Sequence, residues 1–171
     1  MLPATYSAHE TERMHALHGR ELASFGRRAA ALTIDLVLAG ALFMLIVVPA
    51  ALALVKVGVW APEGDVMFRL NFFNNWYSVI WLVVYFGLAT YLGNGRTPGK
   101  RLMRIRVVSL VHERIGLWHS IERALGYGAS ALEFGFGFVQ YFLHPNRRTV
   151  HDRIAETIVV ADRPPVPSPV P

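Results

Sequence analysis

The residues that invite a chemical role are charged side chains inside long apolar segments. Residues 27–55 read RRAAALTIDLVLAGALFMLIVVPAALALV, and Asp35 is the only charge between Arg28 and Lys56. In a helix, Arg28 and Asp35 stand about two turns apart and share one face. A carboxylate inside a membrane span is costly, so Asp35 needs either a polar partner or a task such as binding a cation or a proton.

Two interpretations of Arg28 and Asp35 stay open. In the first, Arg28 holds lipid phosphates and a polar group of another helix satisfies Asp35, so the two residues set the depth of the span. In the second, Asp35 is a cation or proton site that no arginine neutralises. A direct ion pair of Asp35 with Arg28 or Arg123 would exclude proton cycling, because it keeps the carboxylate ionised.

Three further residues qualify as candidates. Glu133 lies in a glycine-rich apolar segment, either as a second ion or proton site or facing water at the mouth of a helical hairpin. His151 and Asp152 are adjacent, but neighbours on a helix point about 100° apart, and no Ser or Cys nucleophile motif accompanies them. Asp152 is better suited to cap a short helix or to pair with the loop arginines within residues 101–106. We therefore predict no catalytic residue and no enzyme activity.

The composition predicts a membrane protein without a metal or a cofactor. Of 171 residues, 53% are hydrophobic, whereas ordinary soluble domains have an apolar share of about 45–50%. There is no cysteine to form a disulfide or a thiolate site. His9, His15 and His18 lack the additional spaced ligands that a metal site needs. The net charge of +5 is concentrated at the ends of apolar segments, which favours anionic lipid headgroups as partners and argues against nucleic acid.

Three apolar segments provide the elements that must position these charges. About 20 apolar residues cross a bilayer, so helices at about residues 28–55 and 75–93 are predicted to be transmembrane. The third segment, residues 118–143, contains charges and two pairs of glycines. It is predicted to be a re-entrant or interfacial helical hairpin, with a single third span as the alternative. The predicted fold class is a mainly α-helical membrane protein with a small cytoplasmic β element.

The distribution of charge predicts the side of each connection. Residues 56–75 sum to zero charge and suit the outer side. Residues 94–119 hold six basic residues against Glu113 alone, and short loops this basic stay cytoplasmic. The basic run at residues 146–153 belongs on the same side, which is why the third segment is expected to return. We expect a bacterial-type cytoplasmic (inner) membrane, with the N-terminus and the basic loop in the cytoplasm.

The cytoplasmic parts are predicted to contain short elements of their own. The run GNGRTPGKR lacks the glycine and hydroxyl spacing of a phosphate loop. We therefore predict instead that Thr97 caps a short helix. Residues 104–110 and 157–161 are rich in β-branched side chains and are predicted to form strands that meet. Thr149 caps another short helix, with Asp152 in its first turn, where the helix dipole favours an acid.

Three motifs in order resemble the RDD family of membrane proteins, which is named for one arginine and two aspartates. The motifs are FGRRAAALTID, GRTPGKRLMRIRVVS and RRTVHDRIAETIVV, and the resemblance covers about residues 24–161. It implies that Arg28, Asp35 and Asp152 are the family's trio. What the resemblance implies about chemistry is limited, and transport of small ions or solutes is the usual conjecture for the family.

The predicted organisation is one membrane domain at residues 25–161. It lies between a polar N-terminal tail, residues 1–24, and a proline-rich disordered tail, residues 162–171.

Two functions from different classes stay open. The first is transport of a small cation or solute along a polar path lined by Arg28, Asp35 and Glu133, which requires a homo-oligomer because three apolar segments cannot enclose a conduit. The second is a non-catalytic accessory protein whose basic cytoplasmic module, residues 94–116 and 146–161, binds anionic lipid or a partner protein. The residues expected to make that contact are Lys100, Arg101, Arg104 and Arg106.

Overall fold

The computed structural model describes residues 15–61, 76–113, 115–132, 141–143 and 146–162. Within these ranges the fold is mainly helical, with one two-stranded sheet. In chain order the elements are α1 (Phe25–Leu42), a π-helical turn (Phe43–Val47), α2 (Val48–Lys56), α3 (Trp76–Leu92), α4 (Pro98–Leu102), β1 (Ile105–Ser109), α5 (Leu117–Leu132), α6 (Val150–Ile154) and β2 (Thr157–Ala161).

The first three elements form one continuous helix of 32 residues, Phe25–Lys56. Ser24 begins it, because its side chain accepts a hydrogen bond from the backbone N–H of Arg27. The π-helical turn was not predicted. It ends two residues before Pro49, which has no N–H to donate. Within the described part of the chain, this is the one helix long and apolar enough to cross a membrane.

The second apolar helix, α3, is shorter and is fixed to the first by one aromatic cluster. It has 17 residues, and the rest of the predicted second span and the loop at residues 62–75 lie outside the described residues. Trp81 donates its indole N–H to the backbone carbonyl of Ala39 at 2.9 Å. The rings of Trp81 and Tyr77 pack against Phe43, which is buried. The two helices are therefore held together at mid-length.

The third apolar segment begins as α5, which packs against both α3 and α6. A glycine permits the approach of α6, because a Cβ added at Gly126 would lie only 2.8 Å from the Cβ of His151. Ile115, just before α5, lies in the same core cluster as Ala23. Tyr141, at the far end of the segment, donates its hydroxyl to the carbonyl of Ala23 at 3.1 Å. The two ends of the segment therefore lie near each other, as a hairpin requires.

The two predicted strands pair antiparallel, with Ile105 opposite Ala161 and Ser109 opposite Thr157. Leu22 forms a β-bridge with Val160 at the edge of this sheet. We refer to residues 15–24, 93–113 and 146–162 as the sheet module.

Residues 15–24, predicted to belong to a polar tail, instead pack against the sheet. Leu17 and Leu22 are buried in one cluster with Val108, Ile158 and other apolar residues of the strands. Burying a leucine side chain is favourable by about 1.5–3 kcal/mol. The two leucines therefore help to hold an otherwise polar segment, together with the β-bridge at Leu22 and the backbone hydrogen bond from Ala23 to Val159.

Candidate functional site

Asp152 is fully buried between two arginines from different helices. Its Oδ2 lies 2.7 Å from Nη1 of Arg28 on α1, and its Oδ1 lies 2.5 Å from Nη1 of Arg123 on α5. The predicted cap is present as well, because Asp152 accepts a hydrogen bond from the backbone N–H of Thr149 and completes a capping box at the start of α6. We refer to Arg28, Arg123 and Asp152 as the ion triad.

The partners of Asp152 differ from those expected. The sequence suggested the loop arginines at 101–106, whereas the observed ion pairs are with Arg28 and Arg123. The reason is the close packing of α5 on α6 at Gly126, which brings Arg123, one helical turn earlier, over the carboxylate.

The triad sets the protonation state of the carboxylate. Burial would raise the pKa of Asp152, because it penalises the charged form, but the charges of Arg123 and Arg28 outweigh burial and hold the pKa well below its usual range. Asp152 is therefore ionised at neutral pH. Removing it would leave two buried guanidinium groups facing each other without a counter-charge.

Both arginines also reach strand β2. Arg28 donates from Nη2 to the backbone carbonyl of Val159 at 3.3 Å, and its guanidinium carbon lies 5.0 Å from the ring centre of Tyr141. Arg123 donates from Nη1 to the hydroxyl of Thr157 at 2.6 Å. The triad therefore joins α1, α5, α6 and β2 at one point.

His151 is buried beside the triad and is neutral at physiological pH. Burial and then the neighbouring positive charges, that of Arg123 first, lower the pKa of His151 to about 3, despite the opposing charge of Asp152. Its Nε2 lies 2.9 Å from the hydroxyl oxygen of Thr149. The same Nε2 is 3.8 Å from Oδ1 of Asp152, which is too far for a hydrogen bond. The two residues therefore lack the geometry of a catalytic pair.

Asp35 is buried and takes its hydrogen bonds from other elements. It accepts from the backbone N–H of Gly99 at 2.8 Å, from the hydroxyl of Tyr85 at 3.2 Å and from the hydroxyl of Thr97. Within the described ranges, neither Arg28 nor Arg123 forms an ion pair with Asp35. This arrangement corresponds to the Asp35 half of the first interpretation, in which polar groups of other elements satisfy the carboxylate. Arg28 differs from that interpretation, because it pairs with Asp152.

Helix α4 approaches α1 closely because of one glycine. Thr97 caps α4 as predicted, accepting from the backbone N–H of Lys100 at 3.3 Å. A Cβ added at Gly99 would lie 2.2 Å from the carbonyl oxygen of Ala31 and 2.9 Å from Cγ of Asp35. Gly99 was not recognised as a functional residue from sequence. The only available signal was a glycine within the first turn of a capped helix.

A cavity of about 440 Å³ lies between the triad and Asp35. Its walls come from α1, α4, α5, α6 and both strands, and Phe25 and Phe142 add two aromatic rings. The charged or titratable residues that line it are Arg28, Asp35, Lys100, Arg123 and His151. The structure thus brings two of the predicted trio, Arg28 and Asp35, to one internal surface, with Asp152 directly behind it.

The other sequence candidates are distributed differently. Lys100, expected at a lipid or partner surface, is buried at the cavity, whereas Arg101 and Arg104 are exposed. Arg106 is partly exposed on β1. The four basic residues therefore do not form one surface, because adjacent positions of α4 point about 100° apart, so that Lys100 faces the cavity and Arg101 the solvent. Glu133 lies outside the described residues.

A model of the RDD family matches residues 22–156 of the chain. The matched region is most of the chain and includes all three residues of the trio. No curated protein and no solved structure matches the chain.

We expect Asp152→Asn to lower the free energy of unfolding by about 3–5 kcal/mol, because it leaves two buried guanidinium groups uncompensated. Asp162→Asn is the matched control. Asp162 pairs with Arg96 on the surface, and the loss of such a pair costs about 0–1 kcal/mol. Thermal unfolding in detergent micelles measures both variants. Equal losses of stability in the two variants would show that the ion triad contributes no more to stability than a surface ion pair.

Acidification from pH 7.5 to 5 should destabilise the protein. Because the pKa of His151 is about 3 in the folded state and 6.5 unfolded, the unfolded state binds the proton first, so stability is lost as pH falls below about 6.5. The cost at pH 5 is about 2 kcal/mol. The charged groups that act on this histidine are Asp152, Arg123, Arg28 and Lys100.

Unfolding midpoints measured across this pH range check the expectation. His151→Gln should flatten the loss of stability, and His112→Gln, at an exposed position, should retain it. Below about pH 4 protonation of Asp152, whose folded pKa is also depressed, should add a further loss. If the unfolding midpoints of both glutamine variants fall between pH 7.5 and 5 as much as that of the unmodified protein, His151 does not cause the pH dependence.

Proposed function

Because the chain belongs to the RDD family, we propose that it is a multi-pass membrane protein that has no catalytic activity and serves as an accessory protein at the membrane surface. The observation that supports this proposal is the structural role of the two acids in the trio. Asp35 accepts three hydrogen bonds and Asp152 is shared by two arginines. Both carboxylates hold the sheet module onto the membrane helices.

The proposed span begins after Asp35. The sheet module covers the first turns of α1, where Ala31 and Asp35 are buried, so the carboxylate does not face lipid. From residue 36 to residue 56 the helix rises about 30 Å at 1.5 Å per residue, which matches the hydrocarbon core. The side chains of this stretch are largely exposed, including Val37 and Leu45 at 68% and 74%. That exposure suits contact with lipid better than the core of a soluble domain.

The remaining topology follows from charge and packing. We assign α3, with residues before it, as a second span, and residues 118–143 as a re-entrant or interfacial hairpin. The hydrogen bond from Tyr141 to Ala23 and the place of Ile115 in the same core cluster as Ala23 support the hairpin. The basic sheet module then lies in the cytoplasm of a bacterial-type inner membrane, because short basic segments stay on that side.

The lipid contact of this accessory role is assigned to the exposed face formed by the end of α4 and the residues just after it. Arg101 and Arg104 are exposed, and Leu102 between them is 69% exposed. Because Gly99 fixes α4 against Asp35, this face lies at the level where the proposed span begins. A leucine flanked by arginines suits the headgroup region, where each basic residue contributes about 1 kcal/mol of attraction to anionic lipid. The proposed partner is therefore the anionic surface of the bilayer.

Transport of a small cation or solute is the second candidate function. The observation in its favour is the cavity of about 440 Å³, which both Arg28 and Asp35 line. A conduit through the bilayer would still need a homo-oligomer, because few apolar segments are available to enclose it.

For the accessory role, we expect the double variant Arg101→Glu with Arg104→Glu to lose enrichment in anionic lipid. The full-length protein is purified from micelles containing equal phosphatidylglycerol and phosphatidylcholine, and the bound lipids are quantified by mass spectrometry. Lys56→Glu is the control, because it reverses an exposed charge at the other end of the span. The proposal is wrong if the unmodified protein shows no enrichment or if the control loses as much.

For transport, Asp35→Asn should abolish ion-coupled proton movement in proteoliposomes that contain the same amount of folded protein as those with the unmodified chain. Thr97→Val is the matched variant, because it removes one hydrogen-bond donor to Asp35 and keeps the carboxylate. Transport is discarded if the reconstituted protein moves no solute under any applied gradient.

A further inference from the structure

Among the described residues, one largely buried cation of the cavity, Lys100, has no ion-pair partner. Lys100 is 5% exposed and lines the cavity. Its backbone N–H bonds to Thr97, but among the described residues its ammonium group has neither an ion pair nor a hydrogen-bond acceptor. Arg28 and Arg123 differ from it, because both pair with Asp152.

The acid in the cavity wall does not supply the missing charge. The carboxylate oxygens of Asp35 accept from Thr97, Gly99 and Tyr85 and form no ion pair with Lys100. Among the described residues around the cavity, three cationic side chains, Arg28, Lys100 and Arg123, stand against the two carboxyl groups of Asp35 and Asp152. A cation on an otherwise apolar, largely enclosed surface attracts an anion more strongly than a cation in open water does. An anion entering the cavity would supply a counter-charge to Lys100.

The rest of the cavity is suited to hydrocarbon. Phe25 and Phe142, whose ring centres are 5.1 Å apart, are 38% and 66% exposed and stand at its rim. Leu32 and Ile105 line the interior. A volume of about 440 Å³ falls within the range of small-molecule sites. The ligand that fits both the charge and the lining has an anionic head and an apolar tail.

We propose that this cavity binds a phosphate group, with the Lys100 ammonium as its principal contact, and that hydrocarbon attached to the phosphate lies over Phe25 and Phe142. Phosphate is the preferred chemistry because its several oxygens accept from Lys100 while lying near the guanidinium groups of Arg28 and Arg123. The site rests on the proposed function only for the bilayer that delivers a lipid to the rim. It is separate from the exposed face at Arg101 and Arg104.

The experiment measures the thermal unfolding midpoint of the full-length protein in maltoside detergent. The probes are dioctanoyl phosphatidic acid, inorganic phosphate and, as the neutral control, dioctanoyl phosphatidylcholine. Phosphatidic acid should raise the midpoint in a saturable manner, and the zwitterionic lipid should not. Lys100→Met should weaken the apparent affinity at least tenfold, whereas Arg101→Met, at the adjacent exposed position, should leave it unchanged.

The probes distinguish the source of the phosphate. Stabilisation by phosphatidic acid alone, lost in Lys100→Met, supports a lipid headgroup as the ligand. Stabilisation by inorganic phosphate as well, with the same loss, supports the site and shows that free phosphate is sufficient. The proposal is overturned if neither probe stabilises the unmodified protein, or if Arg101→Met weakens binding as much as Lys100→Met.

Two further measurements distinguish phosphate binding at Lys100 from a structural role of this residue and from lipid binding at the exposed face of Arg101 and Arg104. Without a probe, Lys100→Met should unfold at the same or a higher temperature than the unmodified protein, because it removes an uncompensated charge. A lower midpoint would mean that the ammonium has a partner in the fold, which contradicts the proposal. The Arg101→Glu with Arg104→Glu variant should still bind phosphatidic acid, so a failure of the surface proposal leaves this one testable.

Discussion

The structure depends on one buried carboxylate shared by two guanidinium groups. Asp152 lies on a helix of five residues, too short to be stable alone, yet it fixes where α1, α5, α6 and β2 meet. A buried ion pair is weak evidence for stability, since apolar replacements are often equally stable. Here the ion pairs of Asp152 fix the relative positions of the helices. Arg28 and Arg123 are compensated in one arrangement of the helices, and any displacement of α5 or α1 separates a buried charge from its partner.

The features that could be predicted from sequence depend on residues close together in the chain. Thr97 and Thr149 cap their helices because side-chain oxygens accept from N–H groups within three residues. The first helix follows from an apolar run, and the two strands follow from β-branched residues bounded by turns. The resemblance to the RDD family added the identity of the trio, and the family match over residues 22–156 confirms that membership.

The features that were missed depend on how distant segments pack. Arg123 reaches Asp152 because α5 lies against α6, a contact between residues 29 apart that no local pattern encodes. Lys100 was grouped with Arg101 as a surface cation, although successive helix positions differ by about 100°, so one faces the cavity and the other the solvent. Gly99 was not identified because its role depends on its missing side chain, which leaves room for the carbonyl oxygen of Ala31.

The separation along the chain between Arg28 and its partner has a consequence for biosynthesis. The two residues of the first ion pair are 124 positions apart, and chains emerge from the ribosome N-terminus first. Helix α1 is therefore synthesised before the counter-charge of its arginine exists, and the same holds for Arg123. A nascent chain that ends before residue 152 therefore lacks the carboxylate that holds both Arg28 and Arg123 in the folded protein.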